Sequence, residues 1–270
     1  MLVDYISDIH ANHWSLWTEN QRKWEMRTRE LTRRILKNGT NEVLVIPGDI
    51  SEWNNQTFWV VEEAAKQYER VYITYGNHDL YLMSKKQTRK YGDSLGKLQE
   101  LKELIDSISN AVFLDQTVDT YKGVTFAGDT MWYLPRKEED WSFFRNFSQD
   151  SASIHINGLK MEDVPRALWK RSMDWYDTLE GQKIDVFVSH APPLHPPTSI
   201  YPANGCFHTD VPFLAAPHWI CGHNHLKTTF EKAGTSFYMN CMGYAKDYND
   251  YVPNTIPAHD IAVGVKTFCI

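Results

Sequence analysis

Asp8, His10, Asp49, Asn77, His190, His223 and His225 share one place in the pattern of the chain: each closely follows a short apolar run. Val3–Ile6 leads into Ser7-Asp8-Ile9-His10, and Val43–Ile46 into Pro47-Gly48-Asp49. Val71–Tyr75 leads into Gly76-Asn77-His78-Asp79, Val186–Val188 into Ser189-His190, and Trp219–Cys221 into Gly222-His223-Asn224-His225. β-Branched and aromatic runs of this kind read as buried strands. A strand that stops and then presents carboxylate, amide or imidazole delivers polar groups to the carboxyl edge of a sheet, where open α/β sheets bind ligands. One such end is ordinary, since turns favour Gly, Asn and Asp for backbone reasons. Five ends that offer only Asp, Asn and His amount to a ligand set.

Neutral imidazole nitrogens with carboxylate and amide oxygens suit Mn²⁺, Fe, Zn²⁺ or Ni²⁺, and no thiolate joins them. Seven protein donors are too many for one tetrahedral ion. They suit two divalent ions about 3.5–4 Å apart that share a carboxylate. Asp49, on a single Gly-Asp turn between the other contributors, is the expected bridge. Two such ions lower the pKa of a bound water to roughly 7 and neutralise phosphoryl oxygens, so the chemistry indicated is hydrolysis of a phosphate ester. His78, beside the better ligand Asn77, is then the proton donor or charge stabiliser on the leaving-group side. Asp79 is expected to orient and polarise His78.

The ordered set Asp8-Ile9-His10, Gly48-Asp49, Gly76-Asn77-His78-Asp79, His190 and Gly222-His223-Asn224-His225 resembles the calcineurin-like metallophosphoesterase superfamily. Ser189-His190-Ala191-Pro192 and the later Asn240-Cys241-Met242-Gly243-Tyr244 are most similar to a bacterial and phage-type branch of it. The resemblance implies an α/β fold, a four-layer αββα sandwich of two mixed sheets flanked by helices, with the metal site at the carboxyl ends of the strands. It also implies that Asp8, His10 and His225 go with one ion, and Asn77, His190 and His223 with the other. His78 is then the catalytic residue that is not a ligand. The cofactors expected are two divalent ions (Mn, Fe, Zn, Ni or Mg, with Mn favoured), and the substrate is a small soluble phosphomonoester or phosphodiester.

A chain of 270 residues that is 42% hydrophobic can bury one large core, and no Pro/Gly/Ser linker divides it. A single domain over residues 1–270 is expected. The net charge of −6 argues against an extended nucleic-acid footprint. Cys206, Cys221, Cys241 and Cys269 show no C-x-x-C spacing, and no start signal or membrane-length apolar run is visible. These features fit a cytoplasmic protein with no membrane partner; oligomeric state is not legible. Two other readings share the motifs: a nuclease or phosphatase acting on nucleic-acid ends or nucleotides, and a non-catalytic scaffold with this fold.

Helical spacing marks about Ser15–Lys37, ending at Asn38-Gly39, and about Gln56–Glu69. The basic run Arg27, Arg29, Arg33 and Arg34 is interleaved with Glu25 and Glu30, which suits a solvated helix face. Residues 83–110 read as a basic loop and then a helix with Leu95, Leu98, Leu101, Leu104 and Ile105 in a core-facing stripe. Val112–Leu114 and Val124–Ala127 are expected as strands of a second sheet. Residues 132–165 look irregular and aromatic, a lid or insert, with Arg136 and Arg145 as candidate phosphate clamps. Val164–Gly181 reads as a helix, residues 191–203 as a Pro-rich loop, and Lys227–Phe230 with Thr235–Met239 as a hairpin. A meandering tail over 245–262 and a last strand at Ile261–Phe268 complete the chain. Among the other histidines, His13 and His195 are near enough to the motifs to contact substrate.

Overall fold

The computed structural model describes residues 1–199, 202–245 and 264–270. Strands and helices alternate through the first half. β1 (Leu2–Tyr5) is followed by a short α1 (Ala11–Trp14) and the long α2 (Gln21–Ile35), and β2 (Val43–Pro47) by α3 (Asn54–Ala65). β3 (Arg70–Thr74) leads through a 3-10 turn at His78–Leu80 to α4 (Lys85–Tyr91), α5 (Ser94–Asp106) and β4 (Ala111–Phe113). Strands joined through helices return parallel. β1, β2, β3 and β4 pair in that order, all parallel, with β11 (Lys266–Cys269) antiparallel on the outer side of β1.

The second half begins with the hairpin β5 (Thr117–Tyr121) and β6 (Val124–Gly128). α6 (Glu138–Phe147), α7 (Gln149–Ser153) and α8 (Asp163–Tyr176) follow, then β7 (Val186–Val188), β8 (His218–Cys221), β9 (Lys227–Lys232) and β10 (Thr235–Asn240). The sheet order is β5-β6-β7-β8-β10-β9, parallel in the middle and antiparallel at both edges.

The two-residue period of the strands sorts their side chains into layers. Val3, Tyr5, Val43, Val45 and Tyr72 of the first sheet share a buried cluster with Phe126, Val186, Val188 and Ile220 of the second. The alternate residues Leu44, Ile46, Val71 and Ile73 face the other way, into a cluster with Leu31, Ile35, Val60, Leu101 and Ile105 of the flanking helices. Phe187, Trp219 and Phe237 pack with Met173 and Tyr176 of α8 on the far side of the second sheet. Helix, sheet, sheet, helix is the four-layer sandwich that the resemblance implies. With both sheet faces covered, β2 is buried along its whole length, which is why it reads as an unbroken apolar run.

Several boundaries differ from expectation for identifiable reasons. α2 starts at Gln21 and not near Ser15, because Asn20 accepts the Lys23 N–H as a cap. The Ser15 carbonyl is meanwhile taken by Trp24 Nε1 and Gln56 Nε2, both at 3.0 Å. The arginine face of α2 is knitted to α3: Arg29 pairs with Glu25, Glu62 and Glu63, and Arg33 with Glu30 and Glu63. β4, expected in the second sheet, is the edge strand of the first, since a helical crossover from β3 returns it to the same sheet. The stretch expected to be irregular, 132–165, contains α6 and α7, and its Trp132, Tyr133, Trp141 and Phe144 are buried in the helix-side core. The last strand is Lys266–Cys269, shifted from the expected Ile261–Phe268; the tail expected over 245–262 lies, beyond Ala245, outside the described residues.

Candidate metal centre at the strand ends

β1, β2 and β3 of the first sheet and β7 and β8 of the second end at one place. Backbone ties hold the ends in register: Asp8 N donates to Gly48 O (3.2 Å), His10 N to Asp49 O (3.0 Å) and Gly222 N to His190 O (2.9 Å). Asp8, His10, Asp49, His223 and His225 have φ of 49°, 44°, 52°, 67° and 50°. That left-handed region costs a residue with a Cβ on the order of 1 kcal/mol. Strain repeated five times in one site persists because the surrounding ladders over-determine the backbone. Close approach demands glycine as well. A Cβ on Gly76 would lie 2.1 Å from Asp49 Oδ1 and 2.7 Å from His190 Nε2, and one on Gly222 2.4 Å from Asp8 Oδ2.

Asn77 Oδ1, His190 Nε2 and His223 Nδ1 form a triangle with sides of 3.0, 3.1 and 3.2 Å. Each member turns its donor outward. His190 Nδ1 lies 2.8 Å from Pro47 O, His223 Nε2 2.9 Å from Cys206 O, and Asn77 Nδ2 2.8 Å from Asp150 Oδ1. A ring nitrogen that faces a carbonyl carries a proton, so His190 and His223, when neutral, aim a lone pair inward. Three lone pairs so close repel one another unless positive charge sits between them. Donors about 2.1 Å from one ion and at right angles are about 3.0 Å apart, so the triangle fits a cation.

A second group lies beside the first. His10 Nε2 and His225 Nε2 are 3.1 Å apart, and Asp8 Oδ1 is 3.6 Å from His225 Nε2. Asp49 Oδ2 stands between the groups, 3.4 Å from His190 Nε2 and 3.9 Å from His10 Nε2. Burial lowers the pKa of His10 well below normal, helped by the neighbouring His78; burial and His190 lower that of His223. Both rings therefore stay neutral and keep a lone pair. Burial works to raise the Asp49 carboxyl, but His190 and His78 hold it far below the usual range. Burial likewise opposes a charge on His190, yet Asp49 carries it up to about 10. Positive charge is wanted at this point, and a metal ion competes with the proton for it.

The calcineurin-like phosphoesterase family model matches residues 1–227. The chain belongs to this family. The phosphoesterase is similar in fold to phosphopantetheinyl hydrolase of Mycobacterium tuberculosis, with a TM-score of 0.67 at 17% identity, covering 96% of this chain and 97% of that one. An uncharacterized protein of Acanthamoeba polyphaga mimivirus is 20% identical over 215 residues, 69% of this chain and 72% of its own length. Members of the family are metal-dependent, and the clusters Asp8-His10-His225, His10-Asp49-His78 and Asp8-Asp49-His190 bring ligand atoms close enough for an ion. Among the described residues of the phosphoesterase no helix is long and apolar enough to cross a membrane.

His78 appears in one of those clusters, but both its nitrogens have other partners. Nδ1 is 3.2 Å from Glu52 Oε1 and Nε2 is 3.1 Å from the Tyr244 hydroxyl, while Asp49 Oδ2 is 4.0 Å away. Burial opposes its charge, but Asp49 and Glu52 raise its pKa. Asp79 does not face His78. Its Oδ2 accepts the N–H groups of Gly76 (2.8 Å) and Asp49 (3.0 Å). The 3-10 turn explains this, since successive side chains point about 120° apart at three residues per turn. Burial and Asp49 push the Asp79 carboxyl up to about 6.

The substrate-contact candidates scatter. His13 reaches the rim of the cluster, 4.0 Å from Glu52 Oε1, its ring 6.0 Å from His10 and 4.9 Å from Tyr244. Arg145 is spent on ion pairs with Glu138 and Glu162. Arg136 is half-exposed, with Thr209 O at 3.3 Å and Asp210 at 4.0 Å. His195 lies 5.7 Å from the His208 ring. No described contact joins these three to the donor cluster. Sequence reasoning gave no role at the site to Glu52, Asp150 or Tyr244, the last named only as the end of the Asn240–Tyr244 motif. Asp150 of α7 accepts from Asn77, Tyr81 and Tyr133, so it fixes the amide of Asn77. The signal for Glu52 was its place three residues after Asp49 at the same strand end; nothing local marked Asp150.

Proposed function

We propose that this phosphoesterase is a two-metal hydrolase of a small soluble phosphate ester. Asp8, His10 and His225 would hold one divalent ion and Asn77, His190 and His223 the other, with Asp49 shared and Mn²⁺ the favoured metal. Bound ions of this kind acidify water and neutralise phosphoryl oxygen. The protein's own residues divide the remaining work. Pro47 O, Cys206 O and Asp150 set the donor triangle, and the buried Asp49 carboxylate supplies charge between the two groups. His78, raised in pKa and gripped by Glu52, is the group that hands a proton to the departing ester oxygen.

The observation that carries this reading is the triangle of inward-facing ligand atoms at 3.0–3.2 Å. The test is hydrolysis of para-nitrophenyl phosphate beside bis-para-nitrophenyl phosphate, with Mn²⁺ and with chelator. Turnover is expected only with metal, and the preferred ester assigns monoesterase or diesterase. On phenyl phosphate, whose leaving group needs a proton, H78A is expected to lose on the order of 10²–10⁴ in kcat, and D49A to lose turnover on every ester together with bound metal. Full activity in either variant would refute the assignment.

A further inference from the structure

Tyr244 meets His78 at the nitrogen the reaction needs. Glu52 takes Nδ1–H of the His78 ring at 3.2 Å, which leaves Nε2 as the nitrogen that can send a proton toward a leaving group, and the Tyr244 hydroxyl lies 3.1 Å from that Nε2, in its one hydrogen-bond position. The imidazole is thus held at both ends, and its rotation about χ2 is stopped.

The placement of Tyr244 is tied to the metal-ligand loop. β10 runs on past Asn240 as a parallel bridge between Cys241 and Ser7. Met242 N then donates to Ser7 O (2.8 Å), Gly243 N to Asp8 O (2.9 Å), and Trp14 Nε1 to Gly243 O (3.3 Å). The segment before Tyr244 is therefore bonded to the backbone that carries Asp8. The phenol ring stacks on His10 at 4.4 Å and 28°, with the His225 ring 4.7 Å away. Burial, with Asp49 and Asp8 nearby, raises its pKa, so the hydroxyl keeps its proton.

We propose that Tyr244 relays the proton that His78 supplies: its oxygen accepts Nε2–H of His78 while its own O–H proton passes to the departing ester oxygen, so the phenol ends protonated and the imidazole neutral. This rests on the assignment of His78 made above. The relevant variant is Y244F, which keeps the ring on His10 and removes only the hydroxyl. It is compared with wild type on phenyl phosphate, whose leaving group needs a proton, and on para-nitrophenyl phosphate, whose leaving group departs without one.

The expected result is a fall in kcat of about tenfold on phenyl phosphate, one decade of what a general acid supplies. On para-nitrophenyl phosphate kcat should stay within about twofold, with KM and bound metal unchanged. A second readout needs no turnover: in the ¹⁵N spectrum of the metal-free protein, Y244F should move the His78 Nε2 resonance and leave Nδ1 in place. Equal losses on both esters, no loss on either, or an unmoved Nε2 would overturn the proposal. H78A separates the two claims. On phenyl phosphate, a slow H78A beside an unaffected Y244F removes only the role of Tyr244, whereas H78A at the wild-type rate removes the reading of His78 itself.

Discussion

Two carboxylates near the donor cluster do different work, and their hydrogen bonds say which. Glu52 faces an imidazole nitrogen at 3.2 Å, while Asp79 faces two backbone N–H groups at 2.8 and 3.0 Å. Replacing Glu52 by Gln keeps the size and removes the charge that supports a proton on His78. E52Q is expected to lower kcat by roughly 10–100-fold and leave the melting temperature unchanged. Replacing Asp79 by Ala leaves two buried donors without an acceptor, at about 1–3 kcal/mol each. At roughly 2–4 °C per kcal/mol for a chain near this size, D79A should melt several degrees lower. Thermal melts beside steady-state kinetics check both, and an E52Q with unchanged kcat or a D79A with unchanged melting would contradict them. The ligand types were legible in the sequence, because a carboxylate, amide or imidazole after an apolar run has few other reasons to be there. The pairing of His78 was not, since the choice between Asp79 and Glu52 depends on a 3-10 turn that a four-letter motif does not display.

At the scale of elements, what makes the site is that strand ends approach without side chains between them. Gly76 closes β3 directly against the Asp49 and His190 side chains. G76A puts a methyl carbon 2.1 Å from Asp49 Oδ1, inside any tolerable contact, so the shared carboxylate or the strand end must move. A shift of about 1 Å at reacting groups costs on the order of a hundredfold in rate. The expected outcome is a folded protein by circular dichroism that has lost bound metal and at least that much activity; a G76A with its metal and its rate intact would show that the contact is relieved cheaply. Elements with strong periodicity, such as α2, α5 and the β9–β10 hairpin, could be read directly from spacing. β4 could not be placed, because three residues do not reveal which sheet they join. α6 could have been: acids at Glu138, Glu139 and Asp140 fill its first turn, and buried Trp141 and Phe144 stand three apart. The density of aromatic residues around it masks that helical spacing.

Across the whole molecule, the donor cluster is a clasp between two sheets, with β1, β2 and β3 on one side and β7 and β8 on the other. A ligand that binds only the folded state adds RT ln(1 + [L]/Kd), about 2.7 kcal/mol at a hundred times Kd, so Mn²⁺ is expected to raise the urea midpoint and chelator to lower it. The metal-free protein should also show how the clasp is held without a cation. His190, lifted to about 10 from 6.5 by Asp49, binds its proton more tightly folded than unfolded. Stability from such a group is fully present below its unfolded pKa and is lost as pH rises through the folded one. The chelated protein should therefore weaken steadily between pH about 6.5 and about 10. The Mn²⁺-loaded protein should not, because the ion supplies the charge that deprotonation removes. H190Q, which cannot gain the proton, should be less stable below that window and nearly flat across it. A chelated wild-type protein with a flat urea midpoint over the same range would mean that the two sheets are held at this edge by their backbone ties alone, and that the charge of the clasp matters for chemistry and not for the fold.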